Sequence, residues 1–234
     1  MRVCLRILTA CVCAFSFFST QAQPVTSGGP DTSAASMDPV RMYHNYIGAG
    51  SRLYSGKQYL GYFRLAGNAY FLADTAQQAS VVFEGLWYRD FAFLYDLIQD
   101  RLVVRDNQGA LIEVPERKVK EFLFLGHRFI RGPGGYEDLL CSGALTLVAK
   151  RKKKIEESLE GGVLTRTVVS DDHFFVLKGN VRYPIDRLHS LLLLTGDKKK
   201  EITRELHNRH LQFKKQPEQT LIEAVNYYDQ SYHS

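Results

Sequence analysis

The densest charge in the chain is a run of five cations, Lys150, Arg151, Lys152, Lys153 and Lys154, and Lys198-Lys199-Lys200 forms a second run. Exposed ammonium and guanidinium groups attract phosphate and carboxylate, so the first run is the binding site that the sequence offers, for an anionic lipid or polysaccharide of a cell envelope. The competing reading is a solvated hairpin end and a charged edge that blocks strand-to-strand aggregation. Glu156, Glu157 and Glu160 lie close by and blunt the patch.

Three further groupings have residue types that can do chemistry. Asp90, Asp96 and Asp100 recur around LYDLIQD, and paired carboxylates share acid and base work when their environments split their pKa values. Carboxylates at strand ends also satisfy turns and backbone donors, which is their commoner role. Asp171-Asp172-His173 has ligand types in adjacent positions, but adjacent residues of a strand alternate faces and do not converge on an ion. His207 and His210 sit three apart on an expected helix and so share a face, yet no HExxH accompanies them. No nucleophile elbow, P-loop or CxxC pair occurs. No catalytic residue, metal site or cofactor is therefore assigned, and an enzyme would need a site gathered from scattered residues.

The N-terminus resembles an export leader. Arg2 and Arg6 precede an apolar run, Leu5 to Phe18, and Thr20-Gln21-Ala22 has the small-x-small pattern of a cleavage site. The apolar run is shorter than the ~20 residues needed to span a bilayer. The expectation is a signal peptide over residues 1–22, cut before Gln23, giving a periplasmic, outer-surface or secreted protein without a transmembrane span. The alternatives are an uncleaved anchor, a buried helix, and lipidation at Cys11, whose LTAC context resembles a lipobox but is followed by more apolar residues. Cleavage removes Cys4, Cys11 and Cys13 and leaves Cys141, which excludes an intramolecular disulfide and reads as a small buried hydrophobe. It also lowers the formal charge from +5 to +3, too mild to argue for nucleic acid.

These groups must be positioned by the remaining chain. Residues 23–36 are small and polar and read as a flexible tether. Residues 37–234 are read as one β-rich domain whose segment from about 186 to 230 is helical. Asp38-Pro39 begins a short N-terminal helix carrying Met42, Tyr43, Tyr46 and Ile47. Tyr54 to Leu72 holds two aromatic runs, expected as an extended segment or short helix at Lys57–Phe63 and an edge strand at Ala69–Leu72. Its tyrosines either cover the sheet or stack on a glycan.

From Val81 onward, short aromatic and β-branched runs alternate with turn chemistry such as Glu84-Gly85 and Gly179-Asn180. Strands are expected near Ser80–Phe83, Leu86–Phe91, Leu102–Arg105, Ala110–Val114, Lys118–Leu125, His127–Arg131, Tyr136–Cys141, Ala144–Lys150, Val163–Val169, His173–Lys178 and Val181–Ile185. Phe93–Ile98 reads as a buried strand or a bend across the core. Three helices follow: Arg187–Leu194, Lys198 to about Leu211 with Asp197 as a cap, and Glu218–Asp229 with Leu221, Ile222, Val225 and Tyr228 on its apolar face. The fold class is α+β, an antiparallel β-meander in a rolled sheet, open barrel or sandwich, closed by C-terminal helices.

Read in order, SRLYSGKQYL, FLYDLIQDRLVV, GHRFIR, LLCSGALTLVAKRKK and EAVNYYDQ resemble a group of exported Bacteroidota-type proteins with no assigned function. The likeness covers most of the mature chain. It implies an exported, β-rich fold and carries no active residue to any position. The function expected is binding or assembly in the cell envelope without catalysis, the partner being an anionic envelope component or another envelope protein; the alternative is a hydrolase or other enzyme.

Overall fold

The computed structural model describes residues 52–106 and 108–232. The expected leader, tether and N-terminal helix lie outside these residues. Twelve strands and three helices occur among the described residues, in the α+β class that the sequence suggests.

Ten strands form one antiparallel sheet, which does not close. Strands β1 (Gln77–Phe83), β2 (Leu86–Asp96), β3 (Arg101–Arg105) and β4 (Leu111–Glu113) make one meander. A second comprises β5 (Val119–Phe124), β6 (His127–Gly132), β7 (Gly135–Cys141) and β8 (Thr146–Lys150), and β5 pairs with β1 to join the two. The hairpin of β11 (His173–Lys178) and β12 (Val181–Pro184) extends the sheet from β8. Between β8 and β11 the chain leaves to form a separate two-stranded sheet, β9 (Lys153–Glu160) with β10 (Val163–Ser170).

Alternation builds the main core. Inward residues of β1 to β7 meet across register pairs such as Val81 with Phe122 and Phe122 with Phe129. The rings of Phe122 and Phe129 stack at 4.8 Å, and Tyr95 meets Phe129 edge-on at 4.9 Å, an arrangement that adds to area burial. Phe93–Asp96, expected as a strand or bend, continues β2 to eleven residues.

A second core lies under the helices α1 (Leu188–Leu194), α2 (Lys199–Asn208) and α3 (Pro217–Tyr232). Leu145, Leu147 and Val176 of the β8 and β11 region meet Leu191, Ile202 and Leu206 of α1 and α2. Leu221, Val225 and Tyr228 of α3 are buried and Ile222 is partly buried, as the helical spacing predicts. Asp197 does not cap α2, because a 3-10 turn over Gly196–Lys198 precedes the helix and no side chain caps it.

Two expectations are corrected. The edge strand expected at Ala69–Leu72 is only a single bridge, Tyr70 to Asp96, whereas at Lys57–Phe63 the extended alternative fits, with Gln58 bridging Ile112 and Tyr59 N–H bonding the Leu111 carbonyl. The strands expected leave a gap between Lys150 and Val163, yet Lys153–Glu160 is a full strand, β9.

Candidate functional site

The basic run spans the point where the large sheet, helix α3 and the β9–β10 hairpin meet. Lys150 ends β8, and its Nζ lies 2.6 Å from Asp100 Oδ2 and 3.1 Å from the Tyr136 carbonyl. Asp100 also accepts from the Tyr95 hydroxyl at 2.6 Å and the Tyr136 N–H at 3.2 Å. Burial first, and then the Asp100 carboxylate, holds the Tyr95 hydroxyl far above its ordinary pKa. The fit requires Gly135 opposite, whose φ is +114° and whose missing Cβ would collide with the Asp100 carboxylate.

Arg151 is buried, with 7% of its surface exposed, and gathers three carboxylates. Its Nε and Nη2 donate to Asp138 Oδ2 at 3.0 and 2.7 Å. Its Nη1 and Nη2 form a two-pronged pair with Glu218 at 2.6 and 2.9 Å, and Nη1 reaches Asp172 at 3.1 Å. Burial disfavours the guanidinium charge, but the hydrogen bonds that it donates to Glu218 and Asp138 outweigh that and raise its pKa. Asp138, on β7, is fully buried and also lies 2.8 Å from His127 Nδ1, while its Oδ1 has no hydrogen-bond partner. Glu218 sits in the first turn of α3, so this cluster ties the sheet to the helix.

Lys153 begins β9 and donates to the carbonyls of Asn68 and Tyr70, both at 2.7 Å. Burial lowers its pKa. Lys152 and Lys154 are exposed, and Lys154 lies 3.4 Å from Glu156. Three of the five cations are thus turned inward as fasteners, and two face solvent. In this setting the run fixes where the hairpin leaves the body.

The other candidates occupy separate places. Asp96 is fully buried; Oδ2 accepts from the Tyr59 and Tyr62 hydroxyls at 2.8 and 2.7 Å, and Oδ1 from the N–H groups of Ile98 and Gln99. These tyrosines therefore cover the sheet edge. Asp90 occupies a bulge with φ +61° and lines a shallow open pocket of about 230 Å³ with Ser80 and Leu125. Asp172 Oδ1 accepts the Lys152 N–H at 3.1 Å, while His173 begins β11. His207 lies in α2, which stops at Asn208, and His210 has φ +56°, so the two do not share a helix face. Among the described residues no group of three or more His, Cys, Asp or Glu is placed to hold a metal ion. Cys141 is buried, and burial first, with Asp229 and Glu223, pushes its thiol up to about 11.

The sequence reading expects a strand near Val163–Val169 but not its pairing with the residues before it, so the hairpin itself is missed. Leu159, Val163 and Leu164 are 71%, 66% and 58% exposed and flank the Gly161-Gly162 turn, where φ is +57° and +82°. The Gly161-Gly162 pair before that strand was the available signal for the turn. His127 with Asp138 was also missed, its partners lying on adjacent strands.

Comparison with protein-family models, curated proteins and solved structures finds no match. No helix among the described residues is long and apolar enough to cross a membrane.

Proposed function

We propose that the protein serves binding or assembly in the cell envelope without catalysing a reaction, and that the β9–β10 hairpin is the contacting surface. Export by the N-terminal leader places it there. The observation that carries the reading is the hairpin: an eight-residue pair of strands outside the main sheet, ending in Leu159, Val163 and Leu164 in water. Clustered exposed aliphatic residues on a projecting element mark a contact surface. The root supports the same reading, because Arg151 and Lys153 hold the hairpin to the body and pre-organise it.

The test is native sizing of gently solubilised envelopes from the host. The wild-type protein should run well above its monomer mass, and the Leu159→Ser/Leu164→Ser variant should run as free chain. Equal migration of both proteins would remove the hairpin from the function. One observation favours the alternative, a hydrolase: the His127 ring held by a buried carboxylate, which fixes an imidazole tautomer for general-base work. An enzyme working through that pair is indifferent to the hairpin change.

A further inference from the structure

Among the described residues the hairpin has one occupied edge and one open edge. In the register of β9 with β10, Lys152 and the even-numbered residues after it direct their backbone groups at β10, as the Asp171 N–H to Lys152 carbonyl bond shows. Lys153 and the odd-numbered residues point the other way, and Lys153 N–H bonds the Leu97 carbonyl. On the β10 side, Ala66 takes the Arg166 carbonyl and the Val168 N–H. On the β9 side, the outward groups of Ile155, Glu157 and Leu159 have no backbone partner among the described residues. An open edge of this kind is a template for another strand.

We propose that the strand it takes is β9 of a second copy, antiparallel, with the two-fold axis at Glu157. This inference rests on the assembly reading above and names the partner. The ends of the open edge set the register. Leu97 blocks the ladder at Lys153, and the chain turns away at Gly161. The free stretch is therefore Ile155–Leu159, and its midpoint is Glu157. An antiparallel strand centred there sets Ile155 against Leu159 of the other copy and residue 153 against residue 161. Each chain's turn then arrives where the other chain's edge is already closed by Leu97.

Side chains agree with that register. Within one hairpin, Leu159 stands opposite Leu164, Glu157 opposite Arg166 and Ile155 opposite Val168, all on one face. In the four-stranded sheet, Leu164 and Leu159 of one copy continue into Ile155 and Val168 of the other. Leu159, the most exposed leucine of the hairpin, is thereby covered on both sides. The central row reads Arg166, Glu157, Glu157, Arg166 across the two copies. Each Glu157 has Arg166 Nε 3.2 Å away in its own chain, so the like charges at the axis are flanked and the row is neutral. An isologous contact of this kind closes on itself as a dimer.

Sedimentation velocity on protein purified from its host, across a dilution series, should show a monomer–dimer equilibrium. Leu159→Lys, a change at an exposed position, should leave the circular dichroism unchanged and weaken dimerisation about tenfold or more. Mild oxidation distinguishes the register. Residues at the axis of a hydrogen-bonded antiparallel pair have Cα atoms about 5.5 Å apart, within disulfide reach. Glu157→Cys should therefore give a covalent dimer that wild-type protein does not. Leu159→Cys, about 13 Å from its own symmetry mate, should not. A monomer throughout the dilution series, or crosslinking at position 159 as efficient as at 157, overturns the inference. If purified protein is monomeric while the hairpin variant still leaves its envelope complex, the second-copy pairing fails and the assembly reading stands. If it dimerises while the envelope complex ignores the hairpin change, the reverse holds.

Discussion

The two hydrophobic cores are built from different side chains and closed in different ways. Beneath β1 to β7 the filling is aromatic, with Phe83, Phe93, Tyr95, Phe122, Phe124 and Phe129 fully or almost fully buried. Beneath the helices it is aliphatic, from Leu145 and Leu147 to Leu221 and Val225. The first core closes through neighbouring hairpins, so most of its partners are near in sequence. The second depends on a helix whose Glu218 lies 67 residues after the arginine it pairs with. Rings on adjacent strands find each other through register alone, whereas the helical core needs a long closure and therefore a fastener. Arg151 is that fastener, between Asp138 of the sheet and Glu218 of α3.

The largest effect expected is from placing charge in the helical core. Leu221 and Val225 are fully buried, each contributes roughly 1.5–3 kcal/mol by transfer, and a whole domain has only about 5–15 kcal/mol. Leu221→Asp with Val225→Asp should cost most of the stability and promote aggregation in a thermal melt. Strand β7 feeds both cores, with Tyr136 in the first and Cys141 in the second. The near-ultraviolet signal of the aromatic core should accordingly be lost in the same transition. A variant whose aromatic core keeps its native signal and melting point would show two independent units and break the comparison.

Much of the aromatic half was legible because its local and long-range demands agree: alternating aromatic and β-branched residues, with Glu84-Gly85 at φ +50° and +81° in the turn. The face of α3 was legible for the same reason, its period matching its burial. Strand β9 was not. KKIEESLE has little β propensity, and it becomes a strand because β10, across a Gly-Gly turn, supplies its ladder. The basic run was legible as charge but not as structure, since the partners of Arg151 lie 13, 21 and 67 residues away. Nothing local distinguishes a buried arginine from the exposed lysine beside it. The edge strand at 69–72 was misread because its aromatic rings look like strand, while the choice between extended and helical at 57–63 was left open because nothing local shows that Tyr59 and Tyr62 are held by hydroxyl bonds to Asp96.

A smaller effect separates the members of that run. Arg151→Met leaves Asp138 and Glu218 without their shared cation, and breaking a buried pair by removing one partner costs about 3–5 kcal/mol. Lys154→Ala, at an exposed site, should change stability by no more than about 0.5 kcal/mol. Urea unfolding of the two variants measures the contrast. Equal midpoints would mean that the cores are joined by apolar packing and that the arginine cluster is incidental.

The smallest effect expected concerns Cys141, which reports on the seal between β7 and α3. Its Sγ lies 4.0 Å from the Ile222 carbonyl, and its pKa is pushed from 9.0 up to about 11, by burial first and then by Asp229 and Glu223. A thiol reagent should label it slowly in the native protein and rapidly in the Leu221→Asp/Val225→Asp variant. The pH dependence has a definite sign. Above about 9 the unfolded chain releases this proton while the folded chain keeps it, so the unfolded state binds fewer protons and stability falls. The contribution is complete below about 9 and is lost as the pH rises through about 11. Tyrosines with raised pKa values act in the same direction, but they are common to the wild type and Cys141→Ala and cancel in the difference. The stability gap between these two proteins, taken from urea midpoints, should therefore narrow steadily over that range. A constant gap would mean that the thiol ionises as freely folded as unfolded, and that water reaches the second core where α3 crosses β7.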